Sequence, residues 1–230
     1  MKIFKLSIHT KLYINLSLLG LAFLLIAYLY SPRLFNPYKY YVLIIFVVVC
    51  LLGTLAAVYP TNCLRLFNIH SVDEYRCIDM HVKSRGHHPD CGKFKNHTYL
   101  FNNKSYCVGC SGLFIGGLLA VLTCVLYLIY DAGGFVFWAG FILVLASFIL
   151  SIFLYIDDKW LKFLVNLSLV WGSALILTGI LDGYLFLSLY FILLVVTWIF
   201  TRTEISRVKH DLICQECILN KKGNKKESKI

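Results

Sequence analysis

Six stretches of this chain run for about 20 residues each with no Asp, Glu, Lys or Arg near their centres, and a helix of that length crosses the roughly 30 Å hydrocarbon core of a bilayer. The stretches lie at about Leu12–Tyr30, Tyr40–Tyr59, Ser111–Tyr130, Gly134–Ile156, Leu161–Leu181 and Tyr184–Phe200. Barrel strands would be runs of about 10 residues with alternating polarity. These runs are longer and apolar on every side, so helices are expected, with all backbone hydrogen bonds made internally. Composition agrees: 59% of the 230 residues are hydrophobic and only 15% are charged, against about 25% charged in ordinary soluble domains.

The expected fold is therefore all-α, a polytopic integral membrane bundle of six transmembrane helices. Helices 1 and 2 fall in residues 1–60, a Cys/His-bearing loop in 61–106, helices 3–6 in 107–200 and a basic tail in 201–230. Lys2, Lys5 and Lys11 ahead of the first apolar run also suit a secretory signal peptide. The run is long for that purpose and no small-x-small cleavage site follows it, so an uncleaved first helix is expected.

Positively charged loops stay in the cytoplasm, which orients the bundle. Lys and Arg number three before residue 12, seven from Arg65 to Lys104, two at Lys159 and Lys162, and eight from Arg202 to Lys229. That is 20 of the 22, leaving only Arg33 and Lys39 for the other side. Both termini and the 61–106 loop are thus expected in the cytoplasm, and the turns at Asp131 and Asp182 outside. The net charge of +10 follows from this asymmetry alone, so no nucleic-acid partner is expected. The stretch from Lys221 to Lys229 is polar and basic; it is expected to be disordered and drawn to anionic lipid headgroups.

Seven of the nine cysteines lie in or beside the two large inner segments: Cys63, Cys77, Cys91, Cys107, Cys110, Cys214 and Cys217. In a reducing compartment this usage favours metal or redox chemistry over structural disulfides. The clearest constellation is His87-His88-Pro89-Asp90-Cys91, then His97, then Cys107-Val108-Gly109-Cys110-Ser111-Gly112 at the mouth of the third helix. A CxxC turn presents two sulfurs to one ion, and tetrahedral zinc needs two further ligands. Cys91 and His97 supply them, giving a Cys₃His set, with His87 and His88 as alternates for His97. The competing readings are reduced thiols without a ligand, or a redox pair activated by the partial positive charge of a helix N-terminus.

A second group joins Cys77 and His81 of the loop to His210-Asp-Leu-Ile-Cys214-Gln-Glu-Cys217 of the tail, with Cys63 as a further candidate. A metal shared by Cys77, His81, Cys214 and Cys217 would clip the sixth helix to the loop. The alternative is an amphipathic tail helix carrying thiols one turn apart.

HHPDC followed by FxxH, and CxGCSG running into a glycine-rich membrane helix, resembles small uncharacterised membrane proteins of archaea and bacteria grouped as a domain of unknown function. The resemblance covers about residues 86–117 and marks His87, His88, Cys91, His97, Cys107, Cys110 and Gly112. It implies no activity, and the Cys214 pair and basic tail fall outside it.

The spans carry no ionisable residue near mid-depth, where transporters and pumps commonly keep them. Asn166 is expected to hydrogen-bond between helices, and Gly112, Gly116, Gly117, Gly172 and Gly179 to permit close helix approach. P-loop, Ser-His-Asp and HExxH motifs are absent from the sequence. The leading expectation is a non-enzymatic membrane scaffold or accessory subunit with a zinc-stapled cytoplasmic loop. A small-solute transporter or permease and a membrane thiol oxidoreductase using Cys107 and Cys110 are the alternatives.

Overall fold

The computed structural model describes residues 8–58, 97–102, 104–130, 134–153 and 158–227. Six helices account for nearly all of them: α1 (Ile8–Tyr30), α2 (Lys39–Val58), α3 (Val108–Ile129), α4 (Gly134–Phe153), α5 (Lys159–Ile180) and α6 (Leu185–Glu227). A two-stranded antiparallel hairpin, β1 (Thr98–Phe101) and β2 (Lys104–Cys107), precedes α3. All six helices are long and apolar enough to cross a membrane, and fewer than half of the residues in each span are buried within the protein. Many of the others are large apolar side chains such as Leu19, Ile44, Leu122, Ile142 and Leu193, each between 52% and 69% exposed. A surface of this kind needs hydrocarbon as its solvent, so the chain is a multi-pass membrane protein with an all-α bundle.

The chain divides into two compact bodies. One holds residues 33–188 and contains α2, the hairpin and α3 to α5. Here α5 packs against both α3 and α4, and α2 packs against α3. Small residues set these distances. At Gly140 of α4 an added Cβ would lie 2.6 Å from the carbonyl oxygen of Gly172 in α5, and the reciprocal contact from Gly172 to Gly140 is 3.0 Å. Gly112 of α3 abuts the Phe163 carbonyl of α5, and Gly117 abuts the Thr54 side chain of α2. Backbone-to-backbone approach of this order maximises dispersion contacts, the main cohesive force between helices already in lipid.

The other body holds residues up to Pro32 together with those from Leu189 onward, that is, α1 and most of α6. Its two helices run antiparallel: Phe23 meets Tyr190, Gly20 faces Leu194, and Ser17 meets Thr201. The Ser17 and Thr201 hydroxyls lie 2.8 Å apart, and both residues are fully buried. Thr201 also donates to the Thr197 carbonyl of its own helix at 2.8 Å, while Tyr190 donates to the Gly20 carbonyl at 3.1 Å. Hydroxyls therefore tie the seam where lipid offers no partner.

Two features differ from the sequence expectation. Residues 201–227 continue α6 rather than starting a separate tail, and the expected disorder from Lys221 gives way to helix as far as Glu227. The last proline of the chain is Pro89, and extending a helix already nucleated in the membrane adds a hydrogen bond per residue without a new nucleation cost. Within the expected loop, residues 98–107 form the hairpin. Aromatic and β-branched residues on either side of an Asn-Asn pair suit this turn, and Asn102 adopts φ 50°, a left-handed conformation that Asn tolerates well.

Candidate functional site

The CxxC sequence sits where strand becomes helix. Cys107 ends β2 and is also the N-cap of α3, with extended backbone angles of φ −75° and ψ 124°, while Val108, Gly109 and Cys110 form the first helical turn. The sequence reading started this helix at Ser111 and gave Gly109 a turn conformation; instead the motif is part of the helix. The first amides of any helix lack intrahelical acceptors and gather partial positive charge. Cys107 and Cys110 are half-buried thiols at that terminus.

The hairpin brings His97 to the same place. Its register pairs Thr98 with Cys107, Tyr99 with Tyr106, Leu100 with Ser105 and Phe101 with Lys104. His97, one residue before Thr98, is therefore returned to the strand–helix junction, although it is ten positions from Cys107 in sequence. The Ser111 hydroxyl donates to the Cys107 carbonyl at 3.0 Å, which leaves its oxygen to accept from the Tyr99 hydroxyl at 2.9 Å. Tyr99 and Tyr106, paired across the strands, stack with centroids 5.8 Å apart and hold the hairpin together.

His97 also meets α5, its Nε2 lying 3.2 Å from Lys162 Nζ. An ammonium group only donates. Nε2 is then the acceptor of this bond. Asn166 donates to the Lys162 carbonyl of its own helix at 2.7 Å, and an interhelical bond between α5 and α3 is made by Trp171 Nε1, which donates to Thr123 at 3.1 Å.

Three of the four residues expected to hold zinc, His97, Cys107 and Cys110, thus share one junction. Among the described residues, however, no three His, Cys, Asp or Glu side chains come together closely enough to hold a metal ion. The fourth expected ligand, Cys91, and the alternates His87 and His88 lie outside the described residues, as do Cys63, Cys77 and His81 of the second group. Cys214 and Cys217 lie on α6. They follow His210 at spacings of four and three residues along that helix.

A polar cluster that the sequence reading did not anticipate occupies the opposite end of the larger body. Lys39 Nζ and the Tyr127 hydroxyl both donate to Asp182 Oδ1, at 2.8 and 2.7 Å. Asn36 is fully buried; it donates to the Leu181 carbonyl at 2.8 Å and accepts from the Tyr38 amide at 3.0 Å. Arg33 Nε donates to the Tyr184 hydroxyl at 3.2 Å, and the Leu34 amide donates to the Gly183 carbonyl at 2.8 Å. The segment before α2 is thereby laced to the α5–α6 turn. One signal was available: Arg33, Lys39 and Asp182 are opposite charges assigned to the same side of the bilayer, where pairing is expected. No known protein family, curated protein or solved structure matches this chain.

Proposed function

We propose that this protein is a membrane scaffold or accessory subunit whose segment ahead of α3 is stapled by one structural zinc, with that segment and both termini in the cytoplasm. The hairpin register carries the reading, because it returns His97 to the junction formed by Cys107 and Cys110. Two thiolates and an imidazole are a donor set suited to zinc, and Cys91 would complete it. Four protein ligands leave no position for a reactive water, so the role is structural. His97 would exchange its Lys162 bond for the metal through Nε2, or His87 or His88 would replace it. The proposed second site, with Cys77, His81, Cys214 and Cys217, rests on residue spacing and on the shared helical face of the two α6 thiols.

The orientation rests on 20 of 22 positive charges falling on one side. Reporter fusions after residues 35, 132 and 182 should report the outside, and fusions near residues 85 and 215 the inside. A cytoplasmic signal from the fusion at 132 would overturn this topology.

Elemental analysis of purified protein should find about one zinc per chain. Cys107→Ser or Cys110→Ser should lower it and expose residues 61–97 to protease while leaving membrane insertion intact. A metal-free native protein with a protease-resistant segment would refute the staple. A Cys107–Cys110 disulfide in cells would replace it with thiol–disulfide chemistry.

A further inference from the structure

Residues 33–38, ahead of α2, are pinned to the protein through the backbone. The Leu34 amide donates to the Gly183 carbonyl at 2.8 Å, and the buried Asn36 side chain bonds both the Leu181 carbonyl and the Tyr38 amide. Arg33 and Lys39, at either end of the stretch, turn onto Tyr184 and Asp182. The apolar side chains do the reverse, Leu34 being 65% exposed and Phe35 83%. Tyr38, Tyr40 and Tyr41, at the start of α2, are each between 55% and 68% exposed, and Phe186, in the first turn of α6, is 82% exposed. Among the described residues, none of the three tyrosine hydroxyls has a hydrogen-bond partner. All six side chains belong to the end of the 33–188 body where α2 begins and the α5–α6 turn lies.

We propose that this rim is an interfacial anchor, with the three tyrosines in the glycerol-ester layer of one leaflet and Leu34, Phe35 and Phe186 against the adjoining acyl chains. The 20 residues of α2 span about 30 Å, which matches the hydrocarbon thickness. Its first turn therefore stands where hydrocarbon gives way to oxygen-rich headgroups. A tyrosine suits that level, because its ring is apolar and its hydroxyl needs a wet partner. Ester and phosphate oxygens accept the protons that the protein leaves unbonded. Continuity names lipid rather than another protein as the occupant: Tyr41, Ile44, Val48, Leu52 and Leu55 follow one another at three- and four-residue intervals and are all exposed, so the rim is the headgroup end of a lipid-facing stripe. Because residues 34 and 36 are bonded to the α5–α6 turn, the anchor fixes the depth of that turn together with the start of α2. It depends on neither the zinc staple nor the assigned orientation, since both leaflets possess such a layer.

The test reconstitutes the full chain in phosphatidylcholine nanodiscs with 4-trifluoromethylphenylalanine placed singly at Phe35, Tyr41, Val48 or Phe186. Fluorine relaxation is read against dissolved oxygen, which concentrates in hydrocarbon, and against a water-soluble gadolinium chelate. Oxygen should relax the probes at 35, 41 and 186 clearly, though less than the mid-span probe at 48. The chelate should act on them several-fold more weakly than on the free amino acid in buffer, and more strongly than on the probe at 48. Replacing Tyr38, Tyr40 and Tyr41 together by Ser should raise chelate access at position 35 several-fold, whereas replacing all three by Phe should raise it less, because the rings remain. Chelate access at 35, 41 and 186 equal to that of the free amino acid would place the rim in water, and protection from both agents would place it against another chain; either overturns the proposal. Unchanged access at 35 in a folded triple Ser variant overturns it as well, and the probes in the parent chain decide the matter if that variant does not fold.

Discussion

Gly140→Ala adds one methyl group at the tightest part of the α4–α5 seam. The new Cβ would stand 2.6 Å from both the Gly172 carbonyl oxygen and the Ile176 amide nitrogen, and 2.8 Å from Leu175 Cβ. Two of these neighbours are backbone atoms of α5 and cannot rotate aside. Ordinary contact begins near 3.4 Å, so the helices must separate locally by about 0.8 Å, a gap that forfeits roughly a quarter to a half of each affected dispersion contact. Overpacking of this kind costs about 1–3 kcal/mol. Gly53 provides the opposite case, since it lies in α2, is exposed, and has nothing within 4 Å of its added Cβ. Gly53→Ala should therefore stabilise by about 0.5–1 kcal/mol through helix propensity alone. The assay is reversible unfolding in mixed micelles, followed by tryptophan fluorescence, with both variants measured against the parent. If Gly140→Ala falls within about 0.5 kcal/mol of Gly53→Ala, the close backbone approach of α4 and α5 is wrong.

Asn36→Ala should destabilise by about 2–4 kcal/mol, because a buried carbonyl at Leu181 and the Tyr38 amide lose the side chain that bonds both; the same unfolding assay checks this, and a neutral result would disprove the lacing of residues 33–39 to the α5–α6 turn. A double-mutant cycle of Ser17→Ala and Thr201→Ala should give a coupling of about 0.6 kcal/mol, and no more than about 1.7. Strict additivity would mean that the two hydroxyls do not bond.

The six spans were legible because span length is imposed by bilayer thickness, and any uncharged run of that length is conspicuous. Helix boundaries were less so. α5 starts at Lys159 rather than Leu161 because Asp158 caps it, its carboxylate accepting from the Leu161 amide at 2.8 Å. α3 starts at Val108 because the CxxC residues fit a first helical turn as well as a loop, and only the hairpin's pairing decides between them. The hairpin itself was readable in principle from Thr98-Tyr-Leu-Phe, Asn102 and Lys104-Ser-Tyr-Cys, but it was hidden by the surrounding Cys/His pattern. The cluster of Arg33, Asn36, Lys39, Tyr127, Asp182 and Tyr184 was marked in the sequence only by its opposite charges. Its members are up to 151 positions apart, and a topology rule that counts charges treats Arg33 and Lys39 only as exceptions. His97, Cys107 and Cys110 were found by residue type, whereas the Lys162 bond to His97 depends on how α5 packs and leaves no mark in local sequence.

The length of α6 has a mechanical consequence. Its membrane-crossing portion ends near Ser206, yet the helix runs on to Glu227, an overhang of about 30 Å at 1.5 Å per residue. A continuous helix resists bending over that distance, so its far end moves with the membrane portion as an oar moves with its handle. A reorientation of about 10° in the bilayer would carry Glu227 sideways by about 5 Å, roughly the width of a helical turn. Cys214 and Cys217, 8 and 11 residues beyond Ser206 on the same helix, would shift by only about 2–3 Å, so the displacement grows steadily toward Glu227.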